Sequence, residues 1–333
     1  MKSFWQGLPK PFFVMAPMAD VTDVAFRALV AKHGKPDVFW TEFVSADGLF
    51  HLIERGEIES RAGMIYHTSN PLLRDLQFTE EQRPIAAQIF SGKPEMITYA
   101  TKLVAELGFD GVDLNMGCPD KSIEKQGAGA ALVKNPALAK ELIRAAKEAS
   151  PLPVSVKTRI GYNKESLDEW LTALLEANPV AITLHLRTRK EMSFVPADWE
   201  LMKKAVALRD RVNPKVLLIG NGDVQDMEDA RTKVAESGCD GAMFGRAMFG
   251  NPWVFAGRKT EDTPLAEKLA ALLELAYDFE KITPAKSFAI LKKHIKAFVT
   301  GFAGAAELRT KLMTAESATE LEKMTLDAVG PLV

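Results

Sequence analysis

The chain has 333 residues, 47% hydrophobic and 26% charged, which excludes a disordered chain, a collagen-like repeat and a disulfide scaffold. Its 42 basic and 44 acidic side chains leave a formal charge of -2, so any nucleic-acid partner must be held by a local patch rather than by bulk charge. With two cysteines, no run near the ~18 apolar residues of a membrane helix and no signal-peptide pattern in Met1–Pro9, a cytoplasmic protein without a membrane partner is expected.

Short runs rich in Val, Ile, Phe or Ala alternate with amphipathic stretches. Strands are expected near Phe12–Met15, Asp37–Thr41, Ile85–Ile89, Gly111–Leu114, Val154–Lys157, Ala181–Leu186, Val216–Gly220 and Gly241–Phe244. Continuous apolar runs of this kind suit a parallel sheet covered on both faces. The helices between them have recognisable ends. Thr22 precedes Val24–His33, which stops at Gly34, and Asn135-Pro136 opens Ala137–Ala149 with proline in the first turn. Asp198 precedes Trp199–Asp210, and Ser237-Gly238 ends Gln225–Glu236. The connection from Leu49 to Pro84 is long and mixed, with room for a helix and an irregular excursion. From Thr263 the strands stop, and Leu265–Phe279, Ala285–Thr300 and Ala305–Met324 read as helices. The pattern predicts an α/β fold: a (β/α)8 TIM barrel over residues 1–258, then a small C-terminal helical domain over residues 259–333. A doubly wound sheet is the alternative. Its Gly-rich fingerprint is missing, because Met15-Ala16-Pro17-Met18-Ala19 follows the first strand.

In a barrel, chemistry collects just after the strands, at the C-terminal rim. Gln88, Asn115, Lys157, His185 and Asn221 end or follow strands three to seven, and Arg246 follows the eighth. Asn221-Gly222-Asp223 and Gly245-Arg246 suit a phosphate, since small residues let backbone N–H groups approach an anion; tight turns are the plainer alternative. Lys157 either pairs with an inward carboxylate such as Asp113 or stands beside a cofactor ring that becomes anionic on reduction. His185 is a core histidine or a site histidine. Cys118, in Asn115-Met116-Gly117-Cys118-Pro119, lies in a rim loop where a thiol can donate a proton or act as a nucleophile; the residues leave both roles open. The five histidines and two cysteines lack ligand spacing, so no metal is expected.

These residues resemble the tRNA-dihydrouridine synthase family, from about Phe12 to Arg309. The resemblance is carried by Ala16-Pro17-Met18-Ala19 with Thr22-Asp23 and Phe26-Arg27, then by Asn115-Met116-Gly117-Cys118-Pro119 with Lys121. Lys157-Thr158-Arg159, His185 with Arg187-Thr188-Arg189, Asn221-Gly222-Asp223, Gly245-Arg246, Lys293-His294 and Leu308-Arg309 follow in family order. It implies an oxidoreductase in which FMN, with NADPH as reductant, reduces the C5=C6 bond of particular uridines in tRNA. Carried over position by position, Pro17, Met18 and Ala19 border the flavin and Gln88 and Lys157 bind its polar edge. His185, Asn221, Gly222, Asp223, Gly245 and Arg246 serve its ribityl phosphate, and Cys118 is the general acid. Asn115, Lys121, Arg159, Arg187, Lys293 and His294 are the substrate-binding residues the resemblance implies. Between Glu280 and Glu307 there is no acidic residue, while Lys281, Lys286, Lys292, Lys293 and Lys296 are present; with the resemblance, this reads as a phosphate-binding face of a monomeric enzyme, and without it as a solvated face.

Overall fold

The computed structural model describes residues 3–55, 60–61, 64–65 and 70–332. Eight parallel strands form the barrel: β1 (Phe12–Met15), β2 (Phe39–Trp40), β3 (Ile85–Phe90), β4 (Gly111–Met116), β5 (Val154–Arg159), β6 (Ala181–His185), β7 (Leu217–Asn221) and β8 (Gly241–Phe244). They pair in the order β1-β8-β7-β6-β5-β4-β3-β2. A parallel bridge between Val14 and Val38 closes the ring, with Met15 N donating to Val38 O and Asp37 N to Phe13 O. All eight strands stand where the apolar runs place them, and the open-sheet alternative is excluded.

Alternation along each strand sorts its side chains into two cores. Phe12, Val14, Val38, Trp40, Ala86, Ala181, Ile219 and Met243 point inward and fill the barrel. Trp5, on the turn Phe4–Gly7, packs against Phe12 and Trp40 and stoppers the end where the strands begin. The fit is tight enough to require glycine at the start of β8, where a Cβ on Gly241 would lie 2.3 Å from the Phe12 carbonyl oxygen. The alternate set, including Phe13, Met15, Val112, Leu114, Val156 and Leu184, faces outward against the helices.

Helix ends follow the sequence only in part: the helix expected over Trp199–Asp210 is Glu200–Val212 with no side-chain cap, that expected over Gln225–Glu236 is Met227–Ser237, and Asp23 rather than Thr22 is the first cap. Asp23 caps Val24–Gly34 through Phe26 N, Asn135 caps Pro136–Ala149 through Leu138 N, and Asp226 caps Met227–Ser237, which ends on left-handed Gly238. The long connection holds the two-residue strand Val44–Ser45 beside β3, the helix Ala46–Glu54 and the helix Pro71–Arg74; residues 56–59, 62–63 and 66–69 of it lie outside the described residues.

Leu265–Glu280 packs on Val24–Gly34, so the C-terminal helices lean directly on the barrel wall. Two of their expected boundaries are corrected. Ala305–Met324 is two helices, Ala305–Leu312 and Ala318–Val329, because Ser317 caps the second by accepting from Glu320 N at 3.1 Å. Ala285–Thr300 is a 3-10 turn, Phe288–Leu291, followed by the helix Lys292–Phe298. Ahead of that turn Lys286 is drawn inward, its ammonium 2.6 Å from Glu42 and 3.4 Å from Asp75, with 2% of the side chain exposed. Glu42 also accepts from Val21 N, and the wholly buried Arg27 donates to Thr22 O, Gln77 O and Gln82. A buried charge cluster therefore ties the C-terminal chain to the loop that follows β1.

Candidate active site

The inward positions become polar as the strands reach their C-terminal ends. Gln88, Asn115, Lys157, Arg159, His185 and Asn221 enclose, with Ala16–Met18, Gly117–Pro119, Gly222–Val224 and Gly245–Arg246, a cavity of about 310 Å3. Strand register makes neighbours of Asn115 and Lys157, of Arg159 and His185, and of His185 and Asn221. Beneath the cavity a buried polar layer of Gln88, Asp113 and Ser155 separates it from the apolar barrel core.

A directed chain of hydrogen bonds holds the Cys118 loop. Backbone N–H groups can only donate, so Gly117 N and Cys118 N, at 3.1 and 2.9 Å, fix the Asn115 side-chain oxygen toward them. The Asn115 amide nitrogen must then donate to Gln88 Oε1 (3.0 Å), and Gln88 Nε2 to Asp113 Oδ2 (2.7 Å). Ser155 Oγ donates to the other Asp113 oxygen at 2.6 Å. Asp113 is fully buried, and burial pushes its carboxyl above the usual range. Gln88 and Asn115 thus orient the thiol loop as well as lining the cavity.

Lys157 donates to Asn221 Oδ1 at 3.0 Å, and its ammonium forms no ion pair among the described residues, so the pairing with Asp113 is not made. Burial, aided by the neighbouring Arg159, lowers its pKa to about 8. His185 is held well below the ordinary imidazole range by burial and by the surrounding cations. Its Nε2 faces Arg187 Nη1 at 3.1 Å, and because a guanidinium only donates, the ring is neutral with Nε2 as acceptor. Arg187 and Arg246 both pair with Asp223, keeping that carboxyl below its usual range against the opposing effect of burial. Asp223, which also accepts from Ala197 N, thus positions Arg246 at the cavity rim. Gly222 has φ +123° and a Cβ there would come within 2.7 Å of the Ala197 Cβ, whereas a Cβ on Gly245 would meet only open space.

Cys118 is half-buried in the cavity wall, and burial raises its thiol above the ordinary value, outweighing the nearby Arg159. The thiol is protonated at neutral pH. With His185 neutral and its Nε2 engaged by Arg187, the histidine is not free to turn Cys118 into a nucleophile.

Of the residues expected at the site, Pro17, Met18, Gln88, Asn115, Cys118, Lys157, Arg159, His185, Arg187, Asn221, Gly222, Asp223, Gly245 and Arg246 line one cavity. Ala19 does not, and Ala16 takes its place: alternation from Phe12 through Val14 carries the inward face to Ala16, a signal present in the sequence. Lys121 is exposed on the short helix Lys121–Glu124 and Lys293 on Lys292–Phe298, both away from the cavity lining. His294 is a correction. It is 1% exposed, its ring centroid 4.7 Å from that of Phe26, and burial lowers its pKa to about 4, so it cannot meet a substrate. Lys286 is likewise removed from any phosphate-binding face. Phe43, Gly117, Pro119, Thr158, Ser193 and Val224 also line the cavity; Ser193 arrives on a loop folded back over the rim, which no local pattern announces.

A (β/α)8 barrel whose strand ends gather an unpaired ammonium, a glycine-and-arginine corner and a protonated thiol around one cavity defines a class: barrel enzymes with a ligand seated at the C-terminal rim. The family model described as dihydrouridine synthase (Dus) matches residues 14–330, and the chain belongs to that family. It is 41% identical over 326 residues to a probable tRNA-dihydrouridine synthase 2 of Bacillus subtilis, covering 97% of this chain and 95% of that one. A probable tRNA-dihydrouridine synthase of Staphylococcus aureus (strain COL) is 39% identical over 322 residues, covering 96% and 93%. Among solved structures, a 2-naphthoyl-CoA reductase superimposes with a TM-score of 0.53 at 11% identity, over 75% of this chain and 50% of the reductase, a likeness of fold.

Proposed function

We propose that the protein is a tRNA-dihydrouridine synthase that uses FMN and NADPH to reduce the C5=C6 bond of uridines in tRNA. The observation that carries the reading is the half-buried, protonated Cys118 thiol sharing one cavity with the carboxylate-free ammonium of Lys157. The residues fit a flavin mononucleotide. Ala16, Pro17 and Met18 offer an apolar wall for a ring, Lys157 and Gln88 a polar edge, and Asn221, Arg246 and Gly245, where a Cβ would meet only open space, a corner for one phosphate.

A bound flavin supplies the hydride that adds to C6 of the uracil. Lys157 holds a positive charge where negative charge develops on reduction. Cys118 holds the proton that C5 takes, and solvent returns it to the thiolate. The Asp113–Gln88–Asn115 chain fixes the loop that carries that proton, and His185, kept neutral, adds no competing cation. Residues 259–333 form the tRNA-binding part, with Lys293 and Lys296 exposed three residues apart on one helical face.

The test is to map dihydrouridine in tRNA from cells with and without the gene, and to identify the cofactor released by the purified protein. A uridine left unreduced only in the deleted strain, together with released FMN, is the expected result. Identical dihydrouridine maps would refute the activity, and FAD in place of FMN would refute the cofactor assignment.

A further inference from the structure

The turn after β6 presents an unusual side chain. Phe194 is 86% exposed, about twice the exposure of any other large hydrophobic residue exposed among those described. An isolated exposed apolar residue is ordinary, but this one stands on a backbone held from several sides. Arg159 Nη1 donates to Thr188 O (3.1 Å) and Met192 O (3.0 Å), and Arg187 Nε donates to Val195 O (2.6 Å). Glu191 accepts from Thr188 N through its carboxylate and from Phe194 N through its carbonyl, while Asp223 accepts from Ala197 N. Met192 is in the left-handed region at φ +56°, a strained conformation for a residue with a side chain. Two buried arginines and a strained residue therefore fix a turn whose largest side chain faces water.

The position of the turn says what that side chain is for. Ser193, Arg159 and Arg187 line the cavity, so Phe194 stands at its lip. Exposed Lys190 lies on the same turn, and the ion pair of Arg189 with Glu124 brings in the helix Lys121–Glu124, where Lys121 and the C-capping Lys125 are exposed. A rigid aromatic among lysines at the mouth of a ligand cavity is an arrangement suited to a nucleic-acid strand, the ring stacking on a base and the cations tracking the phosphates. A uracil must leave its stack to enter the cavity, and the base beside it then exposes a face that an inserted apolar side chain can cover.

We infer that Phe194 stacks on the nucleobase adjacent to the uridine that enters the cavity, holding the RNA strand open during reduction. The inference rests on the tRNA reading above. In single-turnover reduction of dihydrouridine-free tRNA by pre-reduced enzyme, Phe194→Ala is expected to slow product formation roughly 5- to 150-fold, the range of one lost base–aromatic stack. Phe194→Trp should restore it. Melting temperature, flavin content and the rate of flavin reduction by NADPH should not move, because the ring touches no other part of the machinery. A photocrosslinker, p-benzoylphenylalanine, at position 194 should label the nucleotide next to the reduced uridine.

Wild-type turnover with an equally fast Phe194→Ala enzyme overturns this inference alone, as does a crosslink remote from the reduced uridine. So does a dimer that Phe194→Ala converts to monomer at unchanged turnover, which would assign the ring to self-association. A wild-type enzyme inert on tRNA overturns the parent reading, and this one with it.

Discussion

Replacing Lys157 by methionine should stabilise the cofactor-free protein while weakening its hold on FMN. The ammonium is lowered from 10.5 to about 8, chiefly by burial, which at 1.36 kcal/mol per pKa unit corresponds to about 3 kcal/mol against the charged form. The side chain opens on the cavity, where water relieves part of that cost, and losing the bond to Asn221 removes about 1 kcal/mol. A net gain of about 1 kcal/mol remains, read as a rise of roughly 2 °C in the melting temperature of apoprotein. The sign of the pH dependence follows. The folded pKa lies below the unfolded one, so the folded state binds fewer protons between about 8 and 10.5, and Lys157 makes apoprotein stability rise with pH across that window. The methionine variant should lack that rise. Losing a charge-assisted bond to the cofactor should raise the Kd for FMN roughly 10- to 100-fold. Thermal melts of apoprotein at pH 7 and pH 10, with fluorescence titration of FMN, measure all three quantities. A variant with lowered apoprotein stability and unchanged FMN affinity would refute the reasoning, because Lys157 would then be an ordinary structural cation.

Cys118→Ala should still bind FMN and accept hydride from NADPH, while single-turnover dihydrouridine formation falls roughly 10²- to 10⁴-fold; a near-normal rate removes the thiol from the mechanism. Lys286→Met leaves Glu42 buried without its cation and should cost about 3–5 kcal/mol in denaturant unfolding, whereas Lys286→Met with Glu42→Leu should recover much of it. A single replacement costing under about 1 kcal/mol would mean the cluster contributes little. Lys293→Ala with Lys296→Ala should weaken tRNA binding and reduce the salt slope by about one for each lost phosphate contact, with FMN content unchanged; an unaltered slope makes that face merely solvated.

The barrel was legible because its strands are buried on both faces, and the site was legible because inward positions near the strand ends change from apolar to polar. What escaped the sequence has separate physical causes. His294 sits in a lysine-rich segment and so looks solvent-facing, yet Leu291, His294, Ile295 and Phe298 follow the helical i, i+3, i+4, i+7 spacing and are all buried. That signal was available. Lys286 and Lys293 are indistinguishable locally, since what buries one of them is Glu42, 244 residues away in the chain. The orientation of Gln88 depends on backbone donors at Gly117 and Cys118 acting through Asn115, and such a directed chain exists only once two neighbouring strands are in register. Ser317 shows the reverse case, where one capping residue divides an apparently continuous helix.

On the proposed reading, the buried pairing of Lys286 with Glu42 also bears on which nucleotide is chosen. Glu42 grips the loop after β1 through Val21 N, and that loop supplies Pro17 and Met18 to the cavity wall. Lys286 lies six residues before the helix that displays Lys293 and Lys296. One clamp thus ties the segment before the exposed Lys293 and Lys296 to the loop that supplies Pro17 and Met18, and it works as a pair of calipers whose jaws do not slide. On the proposed reading, a tRNA seated on both jaws offers the nucleotide standing at that span, whatever bases surround it. On that reading, selection follows from a length stored in the protein frame.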